Sequence, residues 1–165
     1  MRIEGLIKQL EDIVVNPGKG LPEELFLFVS RVTPLVNVDL LKKNELGHTL
    51  LTWRDDGYCP AGWHIPGGIL RHKELFAQRI NAVAASELGA RVSYNKDPVT
   101  VNEIIIPSMI NRGHGISFLY ECTLTCTPDN KLKYINGAPD VGEWAWYDKC
   151  PDNLISVHEM YRKYI

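Results

Sequence analysis

The chain has 165 residues, and its 45% hydrophobic and 23% charged content is ordinary for a soluble globular protein, so one domain, residues 1–165, is expected. The formal net charge of −2 gives no electrostatic basis for a nucleic-acid partner, and no apolar stretch approaches the length of a membrane span. Without a signal-peptide pattern or a Cys-x-x-Cys pair, the four cysteines indicate reduced thiols and a cytoplasmic protein.

Two amphipathic helices are predicted at the start of the chain. Asn16-Pro17-Gly18 ends the first, and Pro22 suits the first turn of the second, which continues to about Val32. Residues 1–33 are therefore expected to form a helical extension within the same domain. The apolar positions that define the first helix are Ile3, Leu6, Ile7, Leu10, Ile13 and Val14.

A β-hairpin is predicted next. Residues 35–43 have the composition of a strand, residues 44–47 that of a turn, and residues 48–54 that of the returning strand. A loop over residues 55–62 follows.

The remainder of the chain is expected to alternate strands with helices. A helix over residues 73–88 should end at Gly89, which readily adopts the left-handed conformation of a helix C-cap. Strands followed by helices that pack on them predict an α+β fold, an α/β/α sandwich with a mixed β-sheet between helices. The other expected elements are strands near 63–65, 99–107, 115–126 and 143–148, and a last helix near 151–164.

Residues 66–90 form the most informative segment. They read Pro-Gly-Gly-Ile-Leu-Arg-His-Lys-Glu-Leu-Phe-Ala-Gln-Arg-Ile-Asn-Ala-Val-Ala-Ala-Ser-Glu-Leu-Gly-Ala. The segment resembles a Nudix box, which reads Gly, five residues, Glu, seven residues, Arg-Glu, an aliphatic, any residue, Glu-Glu, any residue, Gly, an aliphatic. Laid on Gly68, it matches at Glu74, Glu87 and Gly89. Ala82, Val83 and Ser86 stand where the box has Arg, Glu and Glu.

The loss of acidic residues limits the metal chemistry that the segment can support. Hard cations take oxygen ligands, and Mg²⁺ is often held by one or two carboxylates, water and substrate phosphates. Because Glu87 lacks the acidic neighbours of a full box, we expect one Mg²⁺, with Mn²⁺ as an alternative, rather than a multi-metal cluster.

Within the Nudix superfamily, the chain is most similar to the GDP-mannose mannosyl hydrolase branch over about residues 28–148. The resemblance rests on residues 33–39, Thr-Pro-Leu-Val-Asn-Val-Asp, on Trp63-His-Ile-Pro-Gly-Gly and on Ser86-Glu-Leu-Gly. It implies the Nudix fold, and dimeric relatives imply a homodimer through the N-terminal helices; alternatively, these helices only cap the sheet.

The resemblance also implies the site residues. The cation would be bound by the carbonyl of Gly67, by Glu87 and by a late-loop acid, Asp140 or Glu143. Asp39 and Arg54 would contact the diphosphate and the sugar of the substrate, and Arg54 would also stabilise charge on the leaving group.

Three departures from the branch concern its charged residues. Ile69 and Ala82 replace two arginines, and residues 139–144, Pro-Asp-Val-Gly-Glu-Trp, lack the histidine expected to act as base. Arg71 is the predicted substitute for the lost charge, with Arg79 as a second candidate. Asp140 or Glu143 would replace the base, and the other candidates for it are His64 and His114.

Three functions follow as alternatives. The first is Mg²⁺-dependent hydrolysis of a nucleoside diphosphate sugar similar to GDP-mannose, in which water attacks the anomeric carbon and nucleoside diphosphate and sugar are released. The second is Nudix attack at phosphorus, which releases nucleoside monophosphate and sugar phosphate. The third is an inactive Nudix fold that binds a nucleotide or a protein partner.

Overall fold

Two β-sheets organise the computed structural model, which describes residues 2–165; Met1, the first residue of the predicted extension, lies outside them. The first sheet has five strands in the order β4-β1-β7-β5, with β6 also paired to β7, and the second has three in the order β3-β2-β8. The strands are β1 Leu35–Leu41, β2 Thr49–Arg54, β3 Gly62–His64, β4 Gly67–Ile69, β5 Val92–Tyr94, β6 Thr100–Ile105, β7 His114–Leu124 and β8 Trp144–Tyr147.

Three α-helices and three 3-10 segments complete the described part of the chain. The helices are α1 Ile3–Ile13, α2 Glu23–Val32 and α3 Phe76–Leu88, and the 3-10 segments are Pro17–Lys19, Asn130–Leu132 and Ser156–Tyr164. The α+β class expected from the sequence is confirmed. Within residues 2–165, no helix combines the length and the apolar character needed to cross a bilayer.

The predicted hairpin is confirmed only at its turn, where the N–H of Asn44 donates to the carbonyl of His48 and the N–H of Leu50 to that of Lys42. Beyond the bridge between Lys43, just after β1, and Thr49 of β2, the two strands enter different sheets. β1 runs parallel to β7 and antiparallel to β4, whereas β2 pairs with β3 and β8. Both strands are largely buried, so contacts on both faces, which local sequence does not reveal, determine their partners.

Two helix boundaries also differ from the prediction. Lys73 has a φ of 57°, in the left-handed region, so α3 cannot include it and begins at Phe76. The last helix is a 3-10 segment confined to Ser156–Tyr164. The predicted end of α3 is confirmed: Gly89 caps it with a φ of 56°, and its N–H donates to the carbonyl groups of the last turn.

The main core lies between α3 and the five-stranded sheet. Ile80, Val83 and Ala84 of α3 pack on Val38 and Leu40 of β1, and all five are almost fully buried. This packing fixes the C-terminal half of α3 over the β1–β4 edge of the sheet. It thereby places Glu87, in the last turn of α3, beside the strands that carry Asp39 and Gly67.

Candidate active site

A cavity of about 430 Å³ opens between the two sheets, the end of α3 and the C-terminal 3-10 segment. This volume is in the range of small-molecule sites. The candidate bases His64 and His114 line it, and so do four other residues predicted from the sequence: Asp39, Arg54, Gly67 and Glu87. These four come from β1, β2, β4 and α3, so the fold brings together residues that are far apart in the chain.

Asp39 forms part of the cavity floor and is only 3% exposed. Its Oδ2 accepts hydrogen bonds from the hydroxyls of Tyr161, at 2.8 Å, and of Ser117. Burial raises the pKa of Asp39 to about 6, although these bonds and the charge of Arg54 oppose the shift. The Asp39 carboxylate is therefore ionised at neutral pH, but its pKa lies close enough to neutrality for the group to accept a proton readily.

Glu87 faces the same cavity from α3, with 23% of its side chain exposed. Oε2 accepts from the hydroxyl of Thr52 at 2.8 Å, and Oε1 accepts from the N–H of Gly67 at 3.2 Å. Burial raises the pKa of Glu87 to about 7, with the two hydrogen bonds opposing the shift. Burial therefore favours the protonated form of Glu87 when no cation is bound.

His64 is connected to Glu87 through Thr52. Its Nε2 lies 2.9 Å from the Thr52 hydroxyl oxygen and 3.6 Å from Oε2 of Glu87. When Glu87 is ionised, Thr52 donates its single proton to Glu87, and Nε2 of His64 then donates to the Thr52 oxygen. Burial, together with the nearby His158 and Arg54, lowers the pKa of His64 well below its usual value, so the ring is neutral at pH 7.

His158 is a cavity residue that the sequence did not identify. Its Nδ1 accepts from the N–H of Ile65 at 3.2 Å, so the neutral ring carries its proton on Nε2, which lies 4.0 Å from Oδ1 of Asp39. Burial lowers the pKa of His158 to about 3. A histidine in a short amphipathic segment gives no local signal of such a position, which depends on where the chain end packs.

Two arginines lie at the cavity mouth. Arg54 was predicted and Arg112 was not, and both contact Asp56, whose carboxylate lies between them. Arg112 precedes Gly113-His114-Gly115, a pattern that indicates a turn but not the direction of its side chain. The mouth of the cavity is therefore positively charged, whereas the buried Asp39 and, on the α3 side, Glu87 make other parts of the lining acidic.

Asp140 and Glu143 do not line the cavity, although Val141 and Gly142 between them do. The carboxylate of Glu143 accepts a hydrogen bond from the N–H of Asp140 at 2.9 Å, and Asp140 is exposed. The geometry therefore gives no support to the predicted roles of these two acids as base or cation ligand. The hydrogen bond that the Glu143 carboxylate accepts within the loop stabilises a turn, which explains an acid at this position.

Arg71 is also outside the cavity lining. Its guanidinium donates to the carbonyl of Lys19, which ties the loop before α3 to the N-terminal segment. Arg79 forms an ion pair of 2.7 Å with Glu74, the first acid of the box, and Glu74 also accepts from the N–H of Arg71. These charged groups therefore hold the entry to α3, and the structure does not support Arg71 as a ligand contact.

Few groups near Glu87 could bind a metal ion. Among residues 2–165, no group of three or more His, Cys, Asp and Glu side chains is arranged to hold a metal ion. The N–H of Gly67 points toward Glu87. Because the N–H and the C=O of one strand residue point to the same side of the strand, the carbonyl of Gly67 lies on the Glu87 side as well. One carboxylate and one carbonyl fit a single hard cation whose other ligands are water and substrate phosphate.

The surroundings of Val83 and Ser86 fit the loss of the two box acids at these positions. Val83, in place of the next Glu, is buried against the main core, where an unpaired carboxylate would be costly. A Cβ on Gly68 would lie 2.9 Å from a methyl group of Val83, so strand and helix are in close contact at this point. Ser86, in place of the other Glu, lines the cavity and is neutral.

Solved structures with the same fold are numerous, although no family model matches the sequence. A candidate asymmetric diadenosine tetraphosphate hydrolase of Jonesia denitrificans is 19% identical over 81% of this chain and 92% of its own, with a TM-score of 0.61. The MutT Nudix hydrolase of Burkholderia pseudomallei is 17% identical over 81% and 98%, with a TM-score of 0.60. A Nudix hydrolase of Nitrosomonas europaea is 16% identical over 70% and 72%, at 0.56. The likeness shows that the chain has the Nudix fold.

Proposed function

We propose that the chain is a cation-dependent hydrolase of a nucleoside diphosphate sugar similar to GDP-mannose, which it cleaves to nucleoside diphosphate and sugar. The observation that carries the proposal is the convergence of Asp39, Arg54, Gly67 and Glu87 on one cavity that holds both arginine and carboxylate side chains. Arginine suits a diphosphate because its guanidinium donates two parallel hydrogen bonds to phosphate oxygens. The carboxylates of Asp39 and Glu87 can accept hydrogen bonds from sugar hydroxyls and from the attacking water.

In this reaction different residues stabilise the leaving diphosphate and accept the proton of the attacking water. Water attacks the anomeric carbon, the bond from that carbon to the diphosphate oxygen breaks, and the electron pair leaves with the diphosphate. Arg54 stabilises the negative charge that develops there. Of the acids that line the cavity, Asp39 has a pKa of about 6, close to the value that suits a base near neutral pH. Because Glu87 is the proposed cation ligand and Asp56 is paired with the two arginines, Asp39 is the remaining cavity acid that can accept the proton of the water.

The proposed cation is Mg²⁺, with Mn²⁺ as the alternative. Glu87 and the carbonyl of Gly67 would hold it, and substrate phosphate and water would complete its shell. When bound, it would stabilise charge on the leaving diphosphate. The sequence-based alternative, with Asp140 or Glu143 as an added ligand or as the base, would require their loop to open, because Glu143 is hydrogen-bonded within it.

Two observations favour other functions. The structural neighbours include a candidate diadenosine tetraphosphate hydrolase, which favours attack at phosphorus and cleavage to nucleoside monophosphate and sugar phosphate. The absence of three clustered metal-binding side chains among residues 2–165 favours a catalytically inactive fold that binds a nucleotide or a protein partner.

Product analysis separates these functions. We expect a panel of nucleoside diphosphate sugars, with Mg²⁺ or Mn²⁺ in water enriched in ¹⁸O, to give nucleoside diphosphate and a sugar that carries the label. Nucleoside monophosphate with label in a phosphate would contradict attack at carbon. Binding of nucleotides without any turnover across the panel would instead support the inactive fold.

We further propose that the N-terminal helices belong to the same cytoplasmic domain. Three contacts support the domain assignment: the Arg71 guanidinium binds the carbonyl of Lys19, the N–H of Arg112 donates to the Ser30 hydroxyl at 3.1 Å, and the Tyr58 hydroxyl lies 3.4 Å from a carboxylate oxygen of Glu23. The four cysteines are free, as expected for a reducing compartment.

A homodimer through α1 is the proposed assembly. The apolar residues of α1 stay exposed in the isolated chain, Ile7 at 48% and Leu10 at 40%, and Leu10 borders an apolar cleft with Leu25 and Phe28 of α2. A second copy would cover this surface. We expect light scattering to give twice the monomer mass for the native chain and the monomer mass for Ile7→Glu/Leu10→Glu.

The control for the dimer test is Lys8→Glu, a change of charge at another exposed position of the same helix. It should keep the dimer mass. Circular dichroism should show the same helix content in all three proteins, because α1 has no buried residue whose loss would unfold the domain. A native chain of monomer mass would contradict the proposed assembly.

A further inference from the structure

Asp56 connects the two arginines at the cavity mouth. Its Oδ2 accepts from Nε of Arg54 at 2.9 Å, from Nη2 of the same residue and from Nη1 of Arg112 at 3.1 Å. Its other oxygen accepts from the N–H of Tyr58 at 3.2 Å. One carboxylate therefore occupies the point where two guanidinium groups converge.

Arg112 is held in place by contacts that do not involve Asp56. Its backbone adopts the left-handed conformation, with a φ of 60°, and its N–H donates to the buried hydroxyl of Ser30 at 3.1 Å. Its guanidinium lies 4.4 Å from the centre of the Tyr58 ring. A non-glycine residue at this φ is uncommon. These contacts direct the guanidinium toward the cavity, where it is 21% exposed at its side chain.

The charge at this point is not balanced. Two arginines share a single carboxylate, so the group carries a net positive charge, and Asp39 and Glu87 have their own hydrogen-bond donors. Asp56 belongs to the exposed connection between β2 and β3, next to Gly57, which has a φ of 75°. The carboxylate thus sits on a surface loop, whereas Arg54 ends a strand of the sheet.

We propose that Arg54 and Arg112 form a clamp for a diphosphate group, and that Asp56 occupies the anion position of this clamp until the ligand displaces it. Arg112 is then a binding residue that neither the box nor the family resemblance indicated. A diphosphate offers several oxygens and more negative charge than one carboxylate, so it can accept from both guanidinium groups at once. The proposal rests on the proposed function for the identity of the ligand, but the clamp can be tested by binding alone.

Calorimetric titration of the metal-free protein with inorganic pyrophosphate and with GDP tests the clamp. We expect Arg112→Gln to weaken the binding of both ligands about tenfold or more, as the loss of a charge-assisted contact of about 1.5 kcal/mol would do. Asp56→Asn should tighten binding about three- to tenfold, because it removes the competing charge and leaves the arginines free. In the double variant the gain from Asp56→Asn should shrink, since its benefit depends on both arginines.

Arg31→Gln is the matched control. Arg31 donates to the side chain of Asn111, next to Arg112, but does not line the cavity. Its substitution should leave pyrophosphate affinity unchanged. Unchanged affinity in Arg112→Gln, or weaker binding in Asp56→Asn, would overturn the clamp.

The clamp and the proposed function fail in different ways. Pyrophosphate binding that depends on Arg112, in a protein that hydrolyses no nucleotide sugar, would overturn the function and keep the clamp. Turnover of a nucleotide sugar with the same KM in the native chain and in Arg112→Gln would overturn the clamp and keep the function.

Discussion

Glu87→Gln is expected to lower kcat/KM for the nucleotide sugar by about 10²–10³-fold and, in the absence of cations, to make the protein more stable at alkaline pH. The loss of activity follows from the proposed role of the carboxylate, since a neutral amide holds Mg²⁺ poorly and a bound cation contributes several kcal/mol of charge stabilisation. The gain in stability follows from burial, which penalises the charged form of Glu87 in the folded state.

The pH dependence has a defined sign. The folded-state pKa of Glu87 is raised from 4.5 to about 7, so its protonated form stabilises the fold fully below the unfolded pKa. That contribution is lost as pH rises through about 7. A glutamine at position 87 does not titrate and so keeps its contribution to stability at every pH. The free energy of unfolding of Glu87→Gln should therefore exceed that of the native chain by little at pH 4.5 and by about 2–3 kcal/mol at pH 8. Urea unfolding in a chelating buffer at several pH values measures this difference.

Glu74→Gln is the matched control for Glu87→Gln, because both residues are acids of the same box. Glu74 is paired with Arg79 and lies outside the cavity lining. Its substitution should cost some stability and leave kcat/KM within about twofold, since it removes a partly exposed ion pair of the order of 1 kcal/mol. Full activity of Glu87→Gln would refute the proposed cation site, and lower stability of that variant at pH 8 would refute the penalty from burial.

Gly67→Ala is expected to destabilise the fold by about 3 kcal/mol and to lower activity by about 100-fold. A Cβ on Gly67 would lie 1.9 Å from Oδ1 of Asp39. Asp39 cannot simply rotate away, because Ser117 and Tyr161 hold its other oxygen in a buried network. The added methyl group must therefore displace either strand β4 or the hydrogen-bond network of Asp39. Overpacking of this kind costs about 1–3 kcal/mol. A shift of about 1 Å at a site is enough for a 100-fold loss of rate.

Gly5→Ala is the control for a methyl group added to glycine. Gly5 lies in α1, and a Cβ added there would have no neighbouring atom within 4 Å, so the change should raise stability by about 0.5–1 kcal/mol. A second substitution tests the cause. Asp39→Ala removes the clashing atoms and should restore part of the stability of Gly67→Ala without restoring activity. If Gly67→Ala unfolds at the same denaturant concentration as the native chain, the close approach of β4 and β1 is refuted.

Local features were predictable where neighbouring residues decide them. Helix α2 follows Pro22 and ends at Val32, and α3 ends at Gly89, because proline and glycine restrict or permit particular backbone angles regardless of distant contacts. The positions of six of the eight strands also followed from composition, whereas the three-residue strands β4 and β5 were not predicted. The start of α3 was missed because Lys73 takes a left-handed conformation that its side chain does not signal.

Strand partners were not predictable from the same signals. The turn between β1 and β2 has hairpin composition, yet the strands separate into two sheets because each has a better buried partner: β7 for β1, and β3 and β8 for β2. Such pairings depend on contacts between residues far apart in sequence, and a single sequence does not show them.

The sequence by itself indicated that Gly67 and Glu87 belong to one site, because they match the glycine pair and the last acid of the box, and it placed Glu87 on a helix that ends at Gly89. Only the tertiary structure decided which other residues share the cavity. It brought His158 beside Asp39 and Arg112 beside Arg54, and it left Asp140 and Glu143 out of the lining. The physical reason is that turn and helix geometry is local, whereas burial and the resulting pKa shifts depend on which segments pack against one another.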